Sequence, residues 1–236
     1  MKKFNLFLAI VPVCVAVVCA VYFWYEYELV AIALYFAMIF ALPFASFMHE
    51  LGHMLFGAIV GIKAVPKFSI FGSSCCKIIP KTDKRLKSKV FFTTMGGIFV
   101  NVAFIILGVV AMCVEACPMW LAVFMPSSIW LYIINILPFK YSSGKTDGLI
   151  LTELVKNDDE AKVLLAVLTV QAQVLKGKPI AEVDKKLLFD QPQIVEDDPA
   201  FIAITELRYE YYKAVGEEEK ANLYKARFED LKKEYM

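Results

Sequence analysis

The run His49-Glu50-Leu51-Gly52-His53 holds the only two histidines in the chain. On a helix, a His-Glu-x-x-His spacing stacks two imidazoles one turn apart on one face and sets the carboxylate beside them. Two ring nitrogens so placed can hold one Zn2+, and the carboxylate can take a proton from a water in a remaining coordination position. The chemistry this predicts is peptide-bond hydrolysis, with His49 and His53 as metal ligands and Glu50 as general base. A chance pair of polar residues between packed helices is the plainer account. The surroundings weigh against it, because the motif sits inside an apolar run from Leu29 to about Ile62. An ionisable side chain in a membrane helix costs about 2.5–3.5 kcal/mol on insertion scales. Three neighbouring polar groups therefore need a compensating interaction, and a divalent metal supplies one.

The elements that must position these residues follow from the apolar pattern. Hydrophobic residues make up 59% of the 236, above the roughly 45–50% of a soluble globular chain, and mean hydropathy is +0.58. A membrane helix needs about 20 apolar residues. Four runs qualify: Phe4 to Tyr25, Leu29 to about Ile62, Phe91 to Val114 and Met119 to Phe139. The first exceeds the roughly 7–15-residue apolar core of a secretory signal and is expected to be a retained helix. The fold class predicted is an α-helical polytopic membrane protein with about four transmembrane helices. Eight bases cluster between Lys63 and Lys89 against the single acid Asp83, while Glu26-Tyr27-Glu28 and Glu115-Ala116-Cys117-Pro118 carry none. The positive-inside rule then predicts a multi-pass cell-membrane protein with both termini cytoplasmic and the lipid bilayer as its solvent. From His53 to Lys63 is about 15 Å of helix, which puts the motif inside the bilayer toward the cytoplasmic face. This composition excludes a nucleic-acid binder, a secreted disulfide scaffold and a disordered chain.

After the His-Glu-x-x-His helix, Val65 to Gly72 alternates loosely and Cys76 to Ile79 resumes beyond Gly72-Ser73-Ser74, which predicts a short β-hairpin. Beyond Leu149 the pattern turns helical over about Asp158–Lys176, Ile180–Phe189, Pro199–Val215 and Glu217–Tyr235, and the last two form a hairpin about Gly216. The expected organisation is a transmembrane helix over 1–28, a metalloprotease core over 29–156, and a cytoplasmic helical domain over 157–236, resembling a tetratricopeptide-like pair. That tail is expected to serve substrate or regulatory-partner choice rather than chemistry. Glu153 and Asn157-Asp158-Asp159-Glu160 read as caps and a solvated face. The six cysteines read as structural, with a Cys113–Cys117 disulfide open but not implied.

Three segments together resemble the site-2 protease family of intramembrane zinc metalloproteases (peptidase family M50), over roughly residues 29 to 150. They are His49–His53, Gly97-Ile98-Phe99-Val100-Asn101, and Asn135-Ile136-Leu137-Pro138 followed by Asp147-Gly148. The resemblance implies three helices around zinc and cleavage of a transmembrane segment of a membrane-spanning protein or peptide, with Asp147 as the third zinc ligand. The residues alone leave Cys75 or Cys76 as alternative ligands, and Thr146 or Asp147 as a helix cap. Asn101 and Asn135 read either as hydrogen-bonding glue between helices or as groups that hold substrate backbone, and the resemblance favours the second. The segment around Ile70 is expected to receive an unwound substrate as an added strand. The rival from another class is a non-catalytic zinc-containing membrane scaffold with a helical cytoplasmic adaptor tail. A metal transporter is disfavoured by the lack of paired broken helices.

Overall fold

The computed structural model describes residues 29–67, 75–114, 119–141 and 144–235. The expected first helix, Ile70 and Cys117 lie outside them. Helix α1 (Leu29–Val60) carries the His-Glu-x-x-His run and contains Pro43. It stops at Gly61, whose φ of 78° turns the chain as few other residues can. Strand β1 (Ile62–Lys67) follows at once, three residues ahead of the predicted start, with Ile62 and Ala64 buried and Lys63 and Val65 exposed. It pairs antiparallel with β2 (Cys75–Pro80), Ile62 opposite Pro80 and Lys67 opposite Cys75.

Helix α2 (Leu86–Cys113) returns across α1. Where they cross, a Cβ on Gly52 would strike the Gly96 carbonyl, and one on Gly96 the Gly52 carbonyl, so the two backbones touch. Phe56 stacks on Phe92 and Phe99 beside the crossing, with ring centroids 6.2 and 5.4 Å apart. Helix α3 (Met119–Ile136) closes the group. Its Phe124 packs edge-on against Phe44 of α1 and Phe104 of α2, over Ala41 and Ala45.

The four-span polytopic architecture predicted from hydropathy is corrected by these elements. The fold is mostly helical with two small two-stranded sheets, and among the described residues one helix, Leu86–Ala111, is long and apolar enough to cross a membrane. The fourth run gives α3, an 18-residue helix whose apolar part among the described residues is Phe124–Ile136. The Leu86–Ala111 helix is itself mostly uncovered by protein, with 33% of its apolar window buried.

Beyond α3 come two very short strands, β3 (Lys140–Tyr141) and β4 (Gly144–Lys145), paired antiparallel with Lys140 opposite Lys145. Five helices follow: α4 (Asp147–Lys156), α5 (Asp159–Leu175), α6 (Lys186–Phe189), α7 (Pro199–Val215) and α8 (Glu218–Tyr235). The single helix predicted over Ile180–Phe189 is split. A 3-10 turn over Ile180–Glu182 ends at extended Val183, and the Asp184 carboxylate accepts from Lys186 N at 3.0 Å to start a new turn. Asp158 and Asp198 cap α5 and α7 by accepting from Ala161 N and Ala200 N. Gly216, at φ 80°, reverses the chain so that Tyr224 of α8 stacks on Tyr212 of α7.

Packing runs across residue 156. Ala161 and Leu168 of α5 share one buried cluster with Ile62 of β1, Leu86 and Val90 of α2, and Leu154 of α4. A second cluster, with Val163, Val170, Leu188, Ile204 and Tyr211, ties α5 to α6 and α7. The tail is thus built onto the hairpin and the foot of α2 through apolar burial.

Candidate metal centre

Helical periodicity delivers the first part of the site. His49 and His53 lie one turn apart on α1, their ring centroids 4.8 Å apart and nearly perpendicular. Both are buried, at 4% and 5% exposure, as is Glu50 at 5%. Their Nε2 atoms lie 3.2 Å apart. Asp147, the first residue of α4, places Oδ2 at 3.1 Å from His49 Nε2 and 3.4 Å from His53 Nε2. Bonds of 2.0–2.2 Å in a tetrahedron put neighbouring ligand atoms about 3.3–3.5 Å apart. The three donors therefore stand close to the spacing that one small divalent cation requires. A Glu50 carboxylate oxygen and ring nitrogens of the two histidines also lie within 4.8 Å of one another, near enough for Glu50 to act on a water beside the metal.

Each imidazole is fixed from behind. His53 Nδ1 lies 2.9 Å from the Thr93 carbonyl, so the ring donates there and keeps the Nε2 lone pair free. The His49 Nδ1 atom lies 2.9 Å from the side-chain amide of Asn101, itself 1% exposed. Asn101 stands with Nδ2 toward the ring; a turn of its amide would let Oδ1 accept from Nδ1–H and leave Nε2 as a ligand. Asn101 therefore sits against the His49 ring. Asn135 donates to the Leu131 carbonyl of its own helix at 3.0 Å.

The space among the donors is kept by glycine. A Cβ on Gly97 would stand 2.6 Å from both Nε2 atoms. At Gly148 a Cβ would strike the Ile136 carbonyl, so only glycine lets α4 begin against the end of α3 with Asp147 facing inward. Asp147 Oδ2 and Glu50 Oε2 are buried and make no hydrogen bond of ordinary geometry. Orphaned carboxylate oxygens of this kind are costly unless another group completes them. Burial pushes the Asp147 carboxyl up, but the field of His53 and the contacts of His49 prevail and hold it at about 2. It is an anion at neutral pH.

Four further residues stand around the site, two of which, Lys145 and Asp198, the sequence pattern did not single out. Cys76 of β2 hydrogen-bonds the Glu50 side chain, so the hairpin abuts the carboxylate. Lys145 of β4 pairs with Glu153 at 2.7 Å and with Asp198 at 2.6 Å, with all three side chains at least nine-tenths buried. Glu153 is thereby corrected from a solvated face to a buried ion pair. Burial works against the Lys145 ammonium, yet its hydrogen bonds and charge contacts with Asp198 and Glu153 outweigh it and hold the pKa above its ordinary value. No periodicity marks these residues, because their partners lie far away in sequence. Comparison with family models, with curated proteins and with solved structures gives no match.

Proposed function

We propose that this chain is a zinc-dependent endopeptidase that works at a membrane and cuts a polypeptide segment presented there. The observation that carries the reading is the convergence of His49 Nε2, His53 Nε2 and Asp147 Oδ2 at 3.1–3.4 Å, with Glu50 beside them. Three protein donors leave one tetrahedral position open, the arrangement of catalytic rather than structural zinc. The scaffold alternative needs a fourth protein ligand to close that position.

Zinc, when bound, lowers the pKa of a coordinated water to about 7 and polarises a carbonyl oxygen. The protein's own groups do the rest. His49, His53 and Asp147 hold the ion, while Thr93 and Asn101 fix the two rings. Glu50 accepts the proton of the attacking water and returns it to the departing amine. Cys76 bonding to Glu50 puts β2 next to the base, which supports the hairpin as the place where an extended substrate adds a strand.

A membrane setting is supported by the side chains that protein leaves uncovered. Leu55 and Ile59 of α1, and Phe92, Ile106, Leu107 and Val110 of α2, are each at least half exposed. Apolar surface on this scale marks contact with lipid or a partner. Exposed Lys63, Lys67, Lys77, Lys84 and Lys87 lie where α1 ends and α2 begins, as expected of a cytoplasmic face. The test is cleavage of a reconstituted single-pass substrate by wild type and by Glu50→Gln, with zinc measured in both. Loss of cleavage at full zinc occupancy is the expected result. Equal cleavage by the two would overturn the role of Glu50. Comparing the membrane proteomes of cells carrying each form then identifies the protein that accumulates uncut.

A further inference from the structure

Asp147 is followed by helix but preceded by an unusual device. Lys140 and Lys145 stand directly opposite each other on β3 and β4. Like charges in that position repel. Two consecutive acids from the loop before α7 meet them: Asp197 pairs with Lys140 at 2.6 Å, and Asp198 with Lys145 at 2.6 Å. Asp198 is also the N-cap of α7, accepting from Ala200 N at 2.9 Å. Between this clasp and the metal centre stands Thr146, whose hydroxyl donates to the Leu137 carbonyl at 2.6 Å and ties the strand pair to the end of α3. Lys145 also reaches forward to Glu153 on α4, the helix that carries Asp147. An ion pair this deeply buried is a poor source of stability, since desolvation offsets much of the attraction, but it fixes geometry.

We infer that Asp198, acting through Lys145, is a positioning residue for the Asp147 ligand, so that the helical tail is a working part of the metal centre. The inference rests on the zinc-endopeptidase reading. The tail's acids hold the two strands in register, the strands hold Thr146, and Thr146 presents Asp147 to the imidazoles. A state of the tail that withdraws Asp198 frees the Lys145 end of this chain and loosens one of three metal ligands. Ligand-orienting partners beyond the metal's own ligands are commonly worth 10–100-fold in metal affinity.

Zinc affinity of the full-length protein, measured by competition with a chromogenic chelator, tests this. Asp198→Asn is the informative variant, because Asn caps a helix as well as Asp while removing the charge. It is expected to weaken zinc about 10–100-fold with helix content unchanged by circular dichroism. Lys145→Met should weaken zinc similarly, and Lys145→Arg should recover most of that loss. The double variant should be no weaker than the weaker single, since both act along one path. Arg227→Ala, which breaks the neighbouring exposed pair with Glu196, should leave zinc affinity unchanged and controls for charge lost from the tail. Wild-type affinity in folded Asp198→Asn and Lys145→Met, beside loss of zinc in Asp147→Ala, overturns the inference alone. A wild-type protein that takes up no zinc, or Asp147→Ala with full affinity, overturns the metal reading on which it rests.

Discussion

The candidate metal centre is assembled from two regions built on opposite principles. The α1 region supplies His49, Glu50 and His53 from a single helical turn, where spacing alone guarantees that the rings share a face. The α4 region supplies one carboxylate, and needs a glycine with no room for a side chain, a buried threonine, two lysines and two acids from the loop before α7 to place it. Geometry that is local costs little and survives distant changes. Geometry that is tertiary depends on every link, and it is the half of the site through which the rest of the molecule can act.

The largest effects should come from the local half. His49→Ala and His53→Ala each leave two protein ligands, too few for a catalytic zinc. Both are expected to lose metal and all cleavage, as measured by zinc content and turnover, and a strong chelator should inactivate wild type alike. Next comes Glu50→Gln, which keeps shape but cannot accept a proton. Cleavage should fall about 10²–10⁴-fold with zinc retained. Wild-type turnover in that variant would remove Glu50 from the chemistry and leave the α1 region with a purely structural part.

Gly97→Ala probes the space between the two halves. Its Cβ would stand 2.6 Å from both Nε2 atoms, and displacing a ligand by about 1 Å is worth roughly 10²-fold in rate. The fold should persist, with cleavage and zinc affinity both reduced. Thr146→Ala belongs to the tertiary half. It removes an N-cap bond to Leu149 N and the tie to Leu137, and should cost about 1–2 kcal/mol in thermal or denaturant unfolding. The smallest effect is expected at Lys176→Ala, which breaks a half-exposed pair with Asp83 between tail and hairpin. A stability change within about 1 kcal/mol is expected there, and a larger one would show that the tail is held on by charge rather than by the apolar cluster beneath it.

The same contrast governs what could be read from the sequence. His49, Glu50 and His53 were legible because three residues on one turn need no knowledge of the fold. The cap at Asp158 and the turn at Gly216 were legible for the same reason, each being a local signal of a helix end. Hydropathy counted four spans where, among the described residues, one helix, Leu86–Ala111, is long and apolar enough to cross a membrane, because a run of apolar residues does not reveal the helix it forms. Glu153 looked like a surface acid, since its partner Lys145 lies on a strand pair of two residues each that no alternation announces. Asn101 could be read as interhelical glue or as a substrate contact, because its own segment does not disclose that His49 lies 2.9 Å away. The tail looked separable for a similar reason, as a change from apolar to charged composition marks a change of solvent and not the limit of a core that Ala161 and Leu168 share with Ile62.

The backbone contact between Gly52 and Gly96 has a mechanical consequence. Helices touching carbonyl to glycine, with Phe56 wedged between Phe92 and Phe99 beside them, have no slack along which to slide. The two histidines and Glu50 are almost closed off from the outside, so a bulky chain cannot reach them without some element giving way. That movement has to occur away from the α1–α2 crossing, on the side of α4 and the two small sheets. On the endopeptidase proposal, turnover is then paced by how often that side swings open, a microsecond-to-millisecond event in comparable gated sites. Stiffening it with a cross-link should slow product formation while leaving the crossing untouched.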